Sequence, residues 1–453
     1  MDERRAQAFL DAAEAGWRWV LDQVGWDADG PWIPESVPGE LKPEYRDGMH
    51  SGIGALGLAL AEVRLCREWT VEEERLAAAI VRRLRDTVAT TSDYAYFDGL
   101  VSTIGVLTVL GATGVEATGD GTDAAVARLI TLAKPDGWPQ TFLDKDRFLP
   151  DARVNDVVLG TAGVLLGAVW AHRNGATRAG ELAGRAADVL IAATEPGPTW
   201  PFVPQRFRTD PGPQMPNFSH GLAGIATTLA LAGAEFGRPD LTDAARHGAE
   251  HLVTLADTTG GGFAVPHRIP GDGSVAYGWC HGPTGTSLLF PALEHAGVNT
   301  VAGEPPHGWR RRCLHSVRTS GLPERRYPGF WDNDGRCCGT AGVADVFLDS
   351  WQHTGEDADL EFALRLGDTL VDRALRDGPR ACWRFVEHTA ADPLLPPGVG
   401  WMQGTAGIAA LLFRAARVVR DGRDAAAVSR MDSWWTRRPP AGQPFASSSS
   451  SFL

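Results

Sequence analysis

Seven stretches of the chain are apolar nearly all round, and each opens on a short glycine motif. They read IGALGLALAEV (53–63), STIGVLTVLG (102–111), LGTAGVLLGAVW (159–170), HGLAGIATTLALAG (220–233), HGPTGTSLLFPAL (281–293), CGTAGVADVFLDSW (338–351) and QGTAGIAALLFRAA (403–416). Their second glycines fall at Gly57, Gly105, Gly163, Gly224, Gly285, Gly342 and Gly407, 48 to 65 residues apart. A near-constant period marks a repeat architecture. Between the motifs lies a second pattern, apolar and charged residues mixed at helical spacing, over Glu73–Val88, Thr122–Ala133, Gly180–Thr194, Leu241–Ala256 and Leu360–Leu375. In the last, Leu360, Leu364, Leu370, Val371 and Ala374 make a broad apolar face, with Arg365, Asp368, Asp372 and Arg373 around the rest. Each period therefore predicts an outer amphipathic helix, a loop, and an inner helix buried on both sides. Two glycines per motif predict close approach of the inner helices at their N-termini, since no Cβ intervenes.

An open solenoid should carry polar capping repeats at its ends. The last copy is as apolar as the middle ones. That predicts closure: an all-α fold, an α/α toroid with seven inner helices within seven outer ones. One domain over residues 1–440 accommodates it, and the tail 441–453, with its Ser447–Ser451 run, is expected to be disordered. The inner N-termini then converge on one face, their partial positive charge directed at a shared cavity.

Composition narrows the partners. Across 453 residues, 43 Lys and Arg face 56 Asp and Glu, a net charge of −13, which excludes a fold-wide basic footprint for nucleic acid. No apolar run approaches the ~18 residues that span a bilayer. The start, MDERRAQAFLDAAEAGW, has no apolar core segment or small-residue cleavage site, so no secretory signal is expected and the reading is cytoplasmic. Six cysteines are too few for a disulfide scaffold and are expected to be reduced.

The residues just before the glycine motifs carry the candidate chemistry. They are His50, Asp98, Asp156, His220, then Cys280 with His281, Cys337 with Cys338, and Met402 with Gln403. Three of six cysteines sit at equivalent places in neighbouring repeats. Cys337 and Cys338 are adjacent, and their Cα atoms, about 3.8 Å apart, are closer than the roughly 4.4–6.8 Å of a disulfide. Cys280, Cys337 and Cys338 fit instead a three-thiolate zinc site with one open position, the catalytic rather than the closed structural pattern. The bland alternative is small buried thiols packing inner helices. That alternative is the stronger one for Cys66, Cys313 and Cys382. His50 and Asp98 read as helix caps or polar filling of the ring, and Trp279 and Trp331 as cavity wall.

Gly278-Trp279-Cys280-His281-Gly282, followed by Cys337-Cys338-Gly339 and preceded by Ser219-His220-Gly221, resembles the lanthionine synthetase C family of lanthipeptide cyclases and LanC-like proteins. The resemblance runs from about Met49 to Ala416. It implies an α/α toroid, and a Michael addition of a peptide cysteine thiolate to dehydroalanine or dehydrobutyrine that closes a thioether ring. It implies that Cys280, Cys337 and Cys338 hold Zn2+, with the substrate sulfur in the fourth place. It implies that His220 is the acid/base group that protonates the enolate, and that Asp156 orients it. The implied partner is a dehydrated precursor peptide, prepared by a separate dehydratase or kinase/lyase enzyme, since the chain has no such segment.

Two departures stand out. Most of the family has Cys-His-Gly where this chain has Cys337-Cys338-Gly339, so a thiolate replaces an imidazole. Many peptide cyclases also carry Arg at the position of Ala276 and Tyr at that of His281. His281 then becomes the candidate for stabilising the enolate, with Arg268 second. The Trp-Cys-His-Gly form also suits a LanC-like protein that binds or adds glutathione or another small thiol. A glycosidase using Asp98 and Asp156 as paired carboxylates, or a purely structural ring, would leave the three cysteines unexplained.

Overall fold

The computed structural model describes residues 3–140, 148–209, 212–324, 333–386 and 394–437. Trp331 and the tail from 441 onward lie outside them.

Each glycine motif starts an inner helix: α2 (Ile53–Arg64), α4 (Leu100–Ala112), α6 (Thr161–Arg173), α8 (Leu222–Phe236), α13 (Thr340–Thr354) and α15 (Thr405–Asp421). The fifth is in two pieces, α10 (Pro283–Thr286) and α11 (Leu289–His295). Pro291 lacks the N–H that the Ser287 carbonyl would take in a continuous helix. Around these run the outer helices α1 (Glu3–Leu21), α3 (Val71–Thr87), α5 (Thr118–Leu132), α7 (Ala179–Ala192), α9 (Pro239–Leu255), α12 (Pro306–Arg318) and α14 (Asp357–Arg373). The expected double ring of seven and seven is present. The inner helices are buried along almost their whole length, as in α6 from Thr161 to Ala171, whereas the outer ones bury one face.

The pairing differs from the expected order. Most outer helices pack chiefly on the inner helix before them, α5 on α4, α7 on α6, α9 on α8 and α14 on α13. This leaves α15 without a following helix, and α1, from the other end of the chain, lies along it. Trp17 of α1 donates to Glu73 of α3 at 2.7 Å, and Arg67 bonds both Glu14 and Glu73, closing the outer ring. Glu73 also completes a capping box with Thr70, which starts α3.

The inner helices begin alike. Each is capped by a glycine in extended conformation with no side-chain cap: Gly52, Gly99, Gly160, Gly221, Gly282, Gly339 and Gly404. The next residue's N–H reaches back seven positions, Ile53 to Arg46, Leu100 to Asp93, Thr161 to Val154, Leu222 to Met215, Thr340 to Asn333 and Thr405 to Gly398. The exception is Pro283, which has no N–H to give.

A Cβ on Gly221 would lie 1.6 Å from the Met215 carbonyl oxygen, and one on Gly342 would lie 1.8 Å from that of Arg336. The motif glycines from the third repeat onward therefore make room for their own loop crossing the helix start. The expected approach of helix to helix is seen at Gly57, where the nearest atom belongs to Val106 of α4.

The loops are joined to one another by backbone bonds. Met49 N–H donates to the Phe97 carbonyl, Tyr96 to Val158, Val158 to Ser219, Ser219 to Cys280, Cys280 to Cys337, Cys337 to Met402, and Met402 back to His50, at 2.7–3.3 Å. Every accepting carbonyl belongs to the residue two before a capping glycine. The seven bonds form a closed hoop on the face where the inner helices start.

Candidate functional site

The hoop puts Cys280 and Cys337 on adjacent rungs, the amide of one donating to the carbonyl of the other at 3.2 Å. Cys338 follows one residue on. The Cys280 and Cys338 sulfurs are 2.8 Å apart and those of Cys337 and Cys338 3.2 Å apart. All three lie within 4.8 Å of one another. None is bonded as a disulfide, and no sulfur pair is near the roughly 2.05 Å of one. Around a tetrahedral ion with Zn–S of about 2.3 Å, sulfurs stand about 3.8 Å apart. The three donors thus converge on one point and need only spread slightly to hold a soft divalent ion. The residues fit zinc in kind, number and place.

Among the three, Cys337 is held well below the ordinary thiol range because Cys280 and Cys338 donate to it. Cys338 is pushed up by burial. Cys280 is pushed up by its bond to Cys337. Without a cation, one thiolate suffices for the cluster, and a metal must displace the remaining protons.

One rung before Cys280 sits Ser219, and the next residue is His220. Its Nδ1 is 2.5 Å from Oδ2 of Asp156, while Asp156 Oδ1 accepts the Leu159 amide at 2.8 Å. Asp156 is fully buried, and a quarter of the His220 side chain is exposed. Burial presses the His220 pKa down, but the bond to Asp156 and its charge outweigh this and carry it above the ordinary 6.5. Asp156 thus accepts the hydrogen bond from Nδ1–H, which leaves Nε2 for a substrate. The rings of His220 and His281 lie 5.4 Å apart. His281 Nδ1 is buried without a hydrogen-bond partner, and burial drives its pKa down to about 2. The three candidate catalytic residues are therefore brought together beside the three cysteines.

His267 escaped the sequence reading. Its ring is 3.9 Å from that of His281. It comes from a loop with no motif, so neither period nor spacing marks it. Arg268 beside it is exposed. Ala276 is buried and leaves the site without the arginine of many cyclases.

On the other arc, His50 packs its ring 5.4 Å from Phe97. Asp98 Oδ1 is buried with no partner, and burial, then Asp93 and Glu35, push its pKa up to about 7. The expectation that these two cap helices is corrected: glycines cap both, and the loop carbonyls accept the helical amides. Trp279 lines a small cavity beneath the cysteine loop, with Arg336, Asp345, Met402 and Arg430. Cys66 is apart from the cluster, bonded by Arg417 at 3.1 Å.

A comparison with curated proteins finds no match to this sequence. Among solved structures the chain is similar to one titled nisin cyclase, with TM-score 0.56 and 14% identity over 82% of this chain and 89% of that one. It is also similar to a cellobiose 2-epimerase from Spirochaeta thermophila, with TM-score 0.48 and 12% identity over 92% and 97% of the two chains. The first likeness supports the α/α toroid. The family described as Lanthionine synthetase C-like protein matches residues 43–419, a span that holds the starts of all seven inner helices, the cysteine cluster and the Asp156–His220 pair. The chain belongs to the lanthionine synthetase C-like proteins.

Proposed function

We propose that the protein is a zinc-dependent lanthipeptide cyclase, acting on a dehydrated peptide to form thioether rings. The observation that carries this reading is the convergence of three thiols on one point beside a histidine–aspartate pair. Cys280, Cys337 and Cys338 would hold the ion. Bound there, zinc lowers the pKa of an incoming thiol and keeps it as the thiolate, the nucleophilic form. The thiolate attacks the β-carbon of the dehydro residue, and the electron pair of the double bond moves onto the α-carbon and its carbonyl. His220, charged with the proton the thiol has lost, returns it to the α-carbon. Asp156 stabilises that charged imidazole and fixes which nitrogen faces the substrate. Such a group contributes roughly 10²–10⁴-fold when it reaches the reacting atom. Neutral His281, its Nδ1 unpartnered, offers an Nε2–H to the enolate oxygen.

The test is incubation of zinc-loaded protein with a dehydrated precursor, counting alkylatable thiols and measuring mass. Loss of thiols at constant mass supports ring closure. A mass gain with added glutathione supports small-thiol addition instead, and no change with either overturns both.

A further inference from the structure

The C-terminal stretch Ala425–Arg437 occupies the axis of the toroid. Its Met431 methyl is the nearest atom to the place a Cβ on Gly105 of α4 would take. Trp435 Nε1 donates to the Leu288 carbonyl at 3.0 Å, where the fifth inner helix is interrupted. Thr436 donates to Asp349 of α13 at 2.7 Å. The Arg173 guanidinium, at the end of α6, lies 3.9 Å from the Trp434 ring. Arg417 of α15 donates to the Ala426 carbonyl at 3.0 Å. Contacts to α4, α6, α13, α15 and the break before α11 set the segment among the inner helices.

This plug meets the cysteine loop through one carboxylate. Asp345 is 3% exposed. Its Oδ2 accepts from Arg430 of the plug at 2.6 Å and from Arg336, and its Oδ1 accepts from Arg414 of α15 at 2.7 Å. Arg336 is the residue before Cys337. The Arg336 and Cys337 amides share the Met402 carbonyl, at 2.8 and 2.9 Å. The Arg336 guanidinium lies 4.2 Å from the Trp401 ring. The segment leading into Cys337 and Cys338 is thus tied above by the hoop and below by Asp345.

We propose that Arg430 is a positioning residue for the metal centre, acting through Asp345 and Arg336 so that the C-terminal plug holds the two cysteines in register. This rests on the reading of Cys280, Cys337 and Cys338 as a zinc site. Removing one partner of a buried ion pair leaves an uncompensated charge and is strongly destabilising, and groups bonded to metal ligands typically govern 10- to 100-fold in affinity, so a residue acting at one remove is assigned the low end.

The full-length chain tests it. Zinc affinity is measured by competition with a chromophoric chelator, and site geometry by the thiolate charge-transfer band of the cobalt-substituted protein. Arg430→Met is expected to weaken zinc about tenfold and to shift the cobalt band. Arg430→Lys, which keeps the charge and loses the fork, should recover part of both. Arg67→Met cuts a part-buried pairing with Glu14 and Glu73 in the outer ring, away from both the plug and the cysteine loop. It should lower the melting temperature while leaving zinc affinity and the cobalt band alone.

Wild-type affinity and spectrum in both Arg430 variants overturn the proposal, and so does an equal change in Arg67→Met. Should Arg430→Met fail to fold, Arg430→Lys decides by the same two readings. A wild-type chain that takes up no zinc or cobalt removes the metal reading itself.

Discussion

The two arcs of the mouth share a backbone and differ in chemistry. From the third repeat to the sixth, the loops present Asp156, His220, Cys280, His281, Cys337 and Cys338. From the seventh to the second they present Met402, Gln403, His50, Phe97 and Asp98, on rungs of the same hoop. The scaffold alone therefore confers no reactivity. What distinguishes the arcs is which side chain stands one or two residues before the capping glycine, or four in the case of Asp156, and whether that side chain has a hydrogen-bond partner. Asp156 is bonded to a histidine, whereas Asp98 has an unpartnered oxygen pressed against Gly48.

The comparison can be broken most severely on the reactive arc. Cys338→Ala leaves two sulfurs, and loss of a ligand should exceed the roughly 100-fold effect of losing an outer partner. Metal analysis after dialysis should fall from one zinc per chain to a trace, with ring closure abolished. His220→Ala should retain zinc and lose about 10²–10⁴-fold in cyclisation rate, read by the disappearance of alkylatable thiols.

A smaller effect sharpens the contrast. In Asp156→Asn the bond and the charge that chiefly raise His220 are gone, leaving burial against the weaker pull of Cys337. The His220 resonance, followed by NMR across pH, should move from a midpoint above 6.5 to one below it. On the quiet arc, Asp98→Asn should leave cyclisation within about twofold while altering pH-dependent stability. The folded protein keeps the Asp98 proton up to about pH 7, and the unfolded chain releases it near 3.8. Stability from this site is thus present below 3.8 and lost as pH rises toward 7. The Asn variant should therefore melt higher than wild type at pH 8 and gain little at pH 4.

Much of this was legible because the repeats are. Seven glycine motifs at near-constant spacing announce a ring, and the place of Cys280, Cys337 and Cys338 before two neighbouring motifs announces a cluster. The rest depends on contacts without local pattern. Helix α1 carries no glycine motif, and its role follows only from α15 needing a cover. The plug residues Arg430, Met431 and Trp435 have no helical period, since a segment threading an axis is surrounded on all sides and packs irregularly. His267 reaches His281 from a loop, and nothing in the string sets it apart from other loop histidines. The capping roles expected of His50 and Asp98 failed because the backbone itself satisfies those helix starts.

The hoop of loop-to-loop bonds has one more consequence. A strip of paired backbone unzips from its ends, but a band joined to itself offers no end at which peeling can start. The seven amides of that band should then exchange their hydrogens for deuterium together, at the pace of global unfolding, and the rim around the cysteines would stay rigid while a flexible guest comes and goes.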